Sequence, residues 1–117
     1  MERIVKAFWN SLAGFRDAAR TEAAVRQEIF LLLVGIPLSW FVAKGVWQQV
    51  VLIASILLVI AVEMLNTCVE KLCDHVTPER HDDIRVVKDM GSGAVFAALA
   101  IMLLVWTVAL AERLGAF

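Results

Sequence analysis

Two stretches of this chain, Val46 to Val62 and Gly91 to Ala111, contain no charged residue. No other feature restricts its fold as strongly. An α-helix rises 1.5 Å per residue, so about 20 apolar residues cross the roughly 30 Å hydrocarbon layer of a bilayer. The later stretch meets that length as it stands, and the earlier one meets it when carried on to Asn66. A third candidate, residues 29–43, is short, so its helix is expected to start earlier, through Ala23–Glu28, and to kink at Pro37. At 61% hydrophobic over 117 residues, the chain is too apolar for a soluble domain of its size and fits a small integral membrane protein. A net charge of −1 indicates neither a nucleic-acid surface nor an acidic tail. Cys68 and Cys73 match neither a redox nor a zinc spacing and read as reduced thiols. The charged N-terminus lacks the continuous apolar core of a cleavable signal peptide.

Residues 2–20 place Ile4, Val5, Phe8, Trp9, Leu12 and Phe15 at helical spacing, with Arg3, Lys6, Arg16 and Arg20 elsewhere. That is the pattern of a helix lying in a membrane interface. The expected architecture is all-α and single-domain over 1–117. It comprises a surface helix at about 2–20 and helices at about 23–43, 46–70 and 88–111 containing three transmembrane spans. A polar connection, about 71–90, is expected to break at Thr77-Pro78. Basic residues set the orientation. Arg3, Lys6, Arg16, Arg20 and Arg26 precede the first span, and Lys71, Arg80, Arg85 and Lys88 lie between the second and third. Only Lys44 and Arg113 fall on the other side, so the N-terminus and the 71–90 loop are expected in the cytoplasm and the C-terminus outside. Trp40, Trp47 and Trp106 would then form an outer aromatic belt.

The second span ends unusually, in AVEMLNTCVEKLCD, residues 61–74. At 100° per residue, Glu63, Asn66, Glu70 and Asp74 occupy a sector of about 80°. Glu63 falls roughly 25 Å along the helix from Val46, near the inner edge of the hydrocarbon. A carboxylate there costs up to about 3 kcal/mol and is expected to face protein or water. Asp74 taken alone reads as the solvated end of a helix. The row of Glu63, Asn66 and Glu70 reads as functional, because carboxylate and amide oxygens are hard ligands suited to Mg²⁺ that leave room for phosphate oxygens. Glu22 precedes the first span on the same side and Lys88-Asp89 precedes the third, while Arg3, Arg80 and Lys88 can neutralise phosphates. No P-loop, protein-kinase set or catalytic triad is present. Gly91-Ser92-Gly93 with Ala94, Ala97 and Ala98 reads as a small-residue face for close helix packing. Residue chemistry alone therefore reaches a divalent-metal and phosphate site at a cytoplasmic membrane face, without naming a reaction.

E-M-L-N-T-x-x-E at 63–70, with Asp74 and K-D-M-G-S at 88–92, resembles the bacterial integral-membrane diacylglycerol kinase family. R-x-x-K at 3–6, Ser11 and E-A-A-x-R-Q-E at 22–28 extend the resemblance over nearly the whole chain. The resemblance implies transfer of the ATP γ-phosphate to a lipid hydroxyl by a homotrimer in the bacterial inner membrane, with sites shared between subunits. Glu63 would be the general base and Asn66 its support; Glu22 and Glu70 would hold Mg²⁺. ATP would meet Arg3, Asn10, Glu22, Glu70, Glu79, Arg80, His81, Lys88 and Asp89, where Asn10 replaces the Tyr of better-known members. The lipid would meet Arg3, Arg16, Asp17, Ala18, Ala19, Ala24, Val25, Arg26, Gln27, Glu28, Glu63 and Ser92.

V-T-P-E at 76–79 is closer to the related undecaprenol kinase branch. Gln27-Glu28 and the long N-terminal helix resemble the diacylglycerol branch, the other showing an apolar residue and His at that pair. Diacylglycerol, giving phosphatidic acid, is therefore the expected substrate, with undecaprenol the alternative. A small proton-coupled transporter is the alternative of another class, since intramembrane acids often carry protons. It leaves Glu22 and Lys88-Asp89 without a task.

Overall fold

A computed structural model of the chain describes residues 1–79 and 81–116, and among these every regular element is helical. The order is α1 (Glu2–Thr21), α2 (Ala23–Val42), α3 (Val46–Val76) and α4 (Asp82–Arg113). The last three are long and apolar enough to cross a membrane, so the chain is a multi-pass membrane protein.

Helix α1 buries none of its residues and packs chiefly against α2. Its apolar stripe, from Ile4 to Phe15, is exposed, as suits a helix lying on a lipid surface. One extended residue, Glu22 (φ −120°, ψ 116°), turns the chain into α2. The turn is held by the Glu22 N–H, which donates to Ala18 O at 2.8 Å. The Arg26 guanidinium donates to Ala19 O at 2.9 Å and Arg20 O at 3.2 Å. These bonds satisfy carbonyls that a helix end otherwise leaves unpaired, and they put a cation at its negative pole.

Helix α3 is the centre of the bundle, packed against α2 on one side and α4 on the other. Leu52, Ser55, Ile56, Val59, Ile60 and Thr67 lie along one stripe of the helix and are buried. Much of the remaining apolar surface, including Phe30, Leu33, Phe41, Phe96 and Leu104, points outward, where a bilayer supplies the apolar solvent. At the far end Gln48 accepts from the Lys44 backbone N–H at 2.8 Å and donates to Glu112 at 3.0 Å, joining the start of α3 to the end of α4.

Three expectations need correction. The polar connection is much shorter than 71–90, because α3 runs on to Val76 and α4 begins at Asp82. Polar side chains leave the backbone hydrogen bonds of a helix intact; Pro78 does not, since it lacks an N–H and drives Thr77 out of the helical region (φ −149°, ψ 103°). Trp40 and Trp47 are exposed as a belt requires. Trp106 instead turns inward, donating to Leu52 O and Ser55 Oγ, both at 3.2 Å. The small-residue face is narrower than expected: Ala98 is buried and Gly91 faces α3, whereas Gly93, Ala94 and Ala97 are exposed.

Candidate functional site where α2, α3 and α4 meet

The face of α3 that buries Leu52, Ile56 and Val59 continues, one helical turn further, as Glu63, Asn66 and Glu70. Helical periodicity thus carries the carboxylates into the same seam that packs the apolar core. All three are half-buried. The Asn66 Nδ2 donates to Glu70 Oε1 at 3.0 Å, fixing which way the amide points. From α2, Glu28 enters the seam with one carboxylate oxygen sealed from solvent and without a hydrogen-bond partner. Glu28 lies within electrostatic reach of Glu63, which in turn feels Glu70 and Glu22.

Four carboxylates from two helices and the α1–α2 junction are therefore drawn together. None of them has a cationic side-chain partner among the described residues. The unbalanced negative charge of such a cluster is relieved by protonation or by a bound cation. Among the described residues no three His, Cys, Asp or Glu side chains could hold a metal ion by themselves. The donor set fits a hard divalent ion taken by one or two carboxylates, its remaining positions left to water and phosphate oxygens, as Mg²⁺ prefers.

Next to this cluster, the C-terminal end of α3 and the N-terminal end of α4 flank a cleft of about 480 Å³. Its lining includes Glu79, His81, Lys88 and Asp89, four of the residues expected at nucleotide, together with Asp74 and Arg85. The Lys88 Nζ donates to Asp74 Oδ1 at 2.7 Å, and Arg85 donates to Asp89 Oδ2 at 3.0 Å. Asp74 is exposed, as a solvated helix end is, and also pairs with Lys88 across the α3–α4 junction. The sequence reading used Arg85 only as a charge that sets orientation, although its spacing from Asp89, i to i+4 on one helix, is a usable signal for this cleft.

Other candidates stand apart. Arg3 and Asn10 sit on the exposed α1, with no hydrogen bond or ion pair to α3 or α4 among the described residues. Arg16 and Asp17 pair loosely with each other at 3.6 Å. Val25 is fully buried, and Arg26 is committed to the end of α1. Ala18, Ala19 and Ala24 are half-buried around the α1–α2 turn, while Gln27 and Ser92 are exposed. Arg80 lies outside the described residues.

Comparison with known proteins identifies the family. Residues 9–110 match the model of the prokaryotic diacylglycerol kinase family. A diacylglycerol kinase of Haemophilus influenzae is 42% identical, over 82% of this chain and 81% of its own length. One of Pseudomonas aeruginosa is 40% identical, over 94% and 89% respectively. That of Escherichia coli K12 is 35% identical, over 97% and 93%. With a family match across most of its length and relatives of this identity aligned over four-fifths or more of both chains, the chain belongs to the prokaryotic diacylglycerol kinase family.

Proposed function

We infer that this chain is an ATP-dependent lipid kinase, that diacylglycerol is its acceptor and phosphatidic acid its product. The observation carrying the site assignment is the seam itself: carboxylates without cationic partners at the inner end of α3, beside a cleft lined by Lys88 and Asp89. A lipid alcohol presents its hydroxyl at the headgroup plane, and nucleotide reaches the cleft from the water side.

In the proposed reaction Glu63 takes the proton from the lipid hydroxyl. The freed oxygen bonds to the γ-phosphorus while the bond to the β–γ bridging oxygen breaks, releasing ADP. Glu22 and Glu70 would hold Mg²⁺, which supplies charge neutralisation to the phosphates. Lys88 exchanges Asp74 for a phosphate oxygen, a charge-assisted bond of the same kind. Asn66 keeps Glu70 in place through its 3.0 Å hydrogen bond. Phosphoryl transfer of this kind rests on alignment and charge neutralisation, and three packed helices provide a rigid frame for both.

Arg3 and Asn10 lie on the exposed α1, away from the seam, and are proposed to complete the site of a neighbouring subunit in a homotrimer. The protein is proposed to lie in the bacterial inner membrane, with its N-terminus and the α3–α4 turn cytoplasmic and its C-terminus outside.

The test uses purified protein in defined micelles, offered ATP, Mg²⁺ and either diacylglycerol or undecaprenol. Diacylglycerol-dependent release of ADP, with phosphate recovered on the lipid, is the expected result. Phosphate on undecaprenol alone would move the chain to the other branch. Lipid-independent behaviour with proton flux in vesicles would replace the kinase by a transporter.

A further inference from the structure

Asn66 has two unusual features besides its bond to Glu70. Its Oδ1 is buried and has no hydrogen-bond partner. The space that oxygen fills is the space a side chain at Gly91 would need: a Cβ there would collide with Asn66 Oδ1 and stand 3.3 Å from its Cγ. The amide orientation follows from chemistry, because only the Nδ2 end can donate to the Glu70 carboxylate. That choice turns the oxygen toward the α4 backbone. At Gly91 the oxygen meets a Cα–H in place of a methyl group, a contact known to suit a carbonyl oxygen.

We propose that Gly91 is a positioning residue for phosphoryl transfer, its missing side chain letting the Asn66 amide lie flush on α4 and hold Glu70 in its cation-binding pose. The proposal deepens the kinase assignment above and rests on it. Gly91 stands three residues after Lys88 and two after Asp89. The same contact therefore sets the distance between the nucleotide end of α4 and the carboxylate row of α3. Any larger residue would push Asn66 away or part the two helices. Gly93 provides an internal comparison: it lies two residues further on the same helix, and nothing stands within 4 Å of where its Cβ would be.

The experiment compares Gly91→Ala, Gly93→Ala, Asn66→Ala and the double variant Asn66→Ala/Gly91→Ala, as full-length protein in defined micelles. Lipid-dependent ATP turnover is titrated with Mg²⁺, and thermal unfolding is followed on the same samples. Gly91→Ala should raise the Mg²⁺ concentration for half-maximal turnover roughly 10–100-fold, the usual effect of losing a partner that orients a metal ligand. Gly93→Ala, which makes the same change in helix propensity, should titrate like the parent. With Asn66 cut back to Ala the space is free, so adding Gly91→Ala should leave the Mg²⁺ titration unchanged and move the melt only as Gly93→Ala moves it, through helix propensity.

Parental Mg²⁺ dependence in Gly91→Ala overturns the proposal, as does an equal loss with and without Asn66. Should Gly91→Ala fail to fold, a folded double variant supports the contact and an unfolded one overturns it. If the parent itself shows no lipid-dependent turnover, the kinase assignment fails, while the melts still decide whether Gly91 and Asn66 are coupled.

Discussion

Replacing Glu63 with Gln separates catalysis from architecture more cleanly than any other single change. The side chain keeps its size and its capacity to hydrogen-bond but cannot accept a proton. Glu63 has no hydrogen bond or ion pair among the described residues, so no specific native contact is lost. It does lose a like-charge conflict, since Glu22, Glu28 and Glu70 all lie within electrostatic reach. The melting temperature should therefore equal or exceed the parent's. Loss of a positioned general base costs roughly 10²–10⁴ in rate, or about 2.7–5.4 kcal/mol at 1.36 kcal/mol per tenfold. Glu28, within electrostatic reach of Glu63, is one substitute for the missing base. It sits on another helix with one oxygen sealed off, so rescue should be poor and the loss should exceed about 10². Turnover of diacylglycerol, nucleotide binding and thermal unfolding are measured on one preparation. Near-parental turnover would remove Glu63 as the base, and a fall in melting temperature of several degrees would make it a structural residue.

Glu22→Gln and Glu70→Gln should each raise the Mg²⁺ requirement at least tenfold, comparable to losing a metal-orienting partner, with a much smaller change in lipid dependence; parental titrations would assign both to a structural role. After replacement of Cys68 and Cys73, a cysteine at Lys44 should react with an impermeant reagent from outside whole cells, and one at Asp82 should not; the reverse would invert the topology. Gly35→Ala would bring a Cβ to 2.5 Å from Ile56 Cδ1 in the core, so it should destabilise the bundle by about 1–3 kcal/mol. Ile56→Val removes that same methyl group at a cost of about 0.5–1.5 kcal/mol, so the double variant should be less destabilised than the two changes summed. Additive costs would show that the close approach at Gly35 does not matter.

The helical class and the three spans could be read in the sequence for a plain physical reason. A bilayer imposes a fixed thickness and leaves no unpaired backbone in hydrocarbon, so apolar run length alone selects spanning helices. Periodicity along one helix is equally local, and it placed Glu63, Asn66 and Glu70 on one face before any packing was known. Contacts between helices were not local, and only the tertiary structure decided them. Pairing of Asp74 with Lys88 depends on how α3 and α4 meet after the break at Thr77-Pro78, which no spacing along the chain encodes. Trp106 looked like an interfacial anchor by its place near a helix end. Its indole turns inward because Leu52 O and Ser55 Oγ offer it acceptors on the facing helix. Gly91, Gly93 and Ala94 looked alike as small residues in one run, yet only the rotation of α4 about its axis selects Gly91 to meet Asn66. That rotation is set by the summed packing of whole helices, a property of the assembled bundle that no single segment carries.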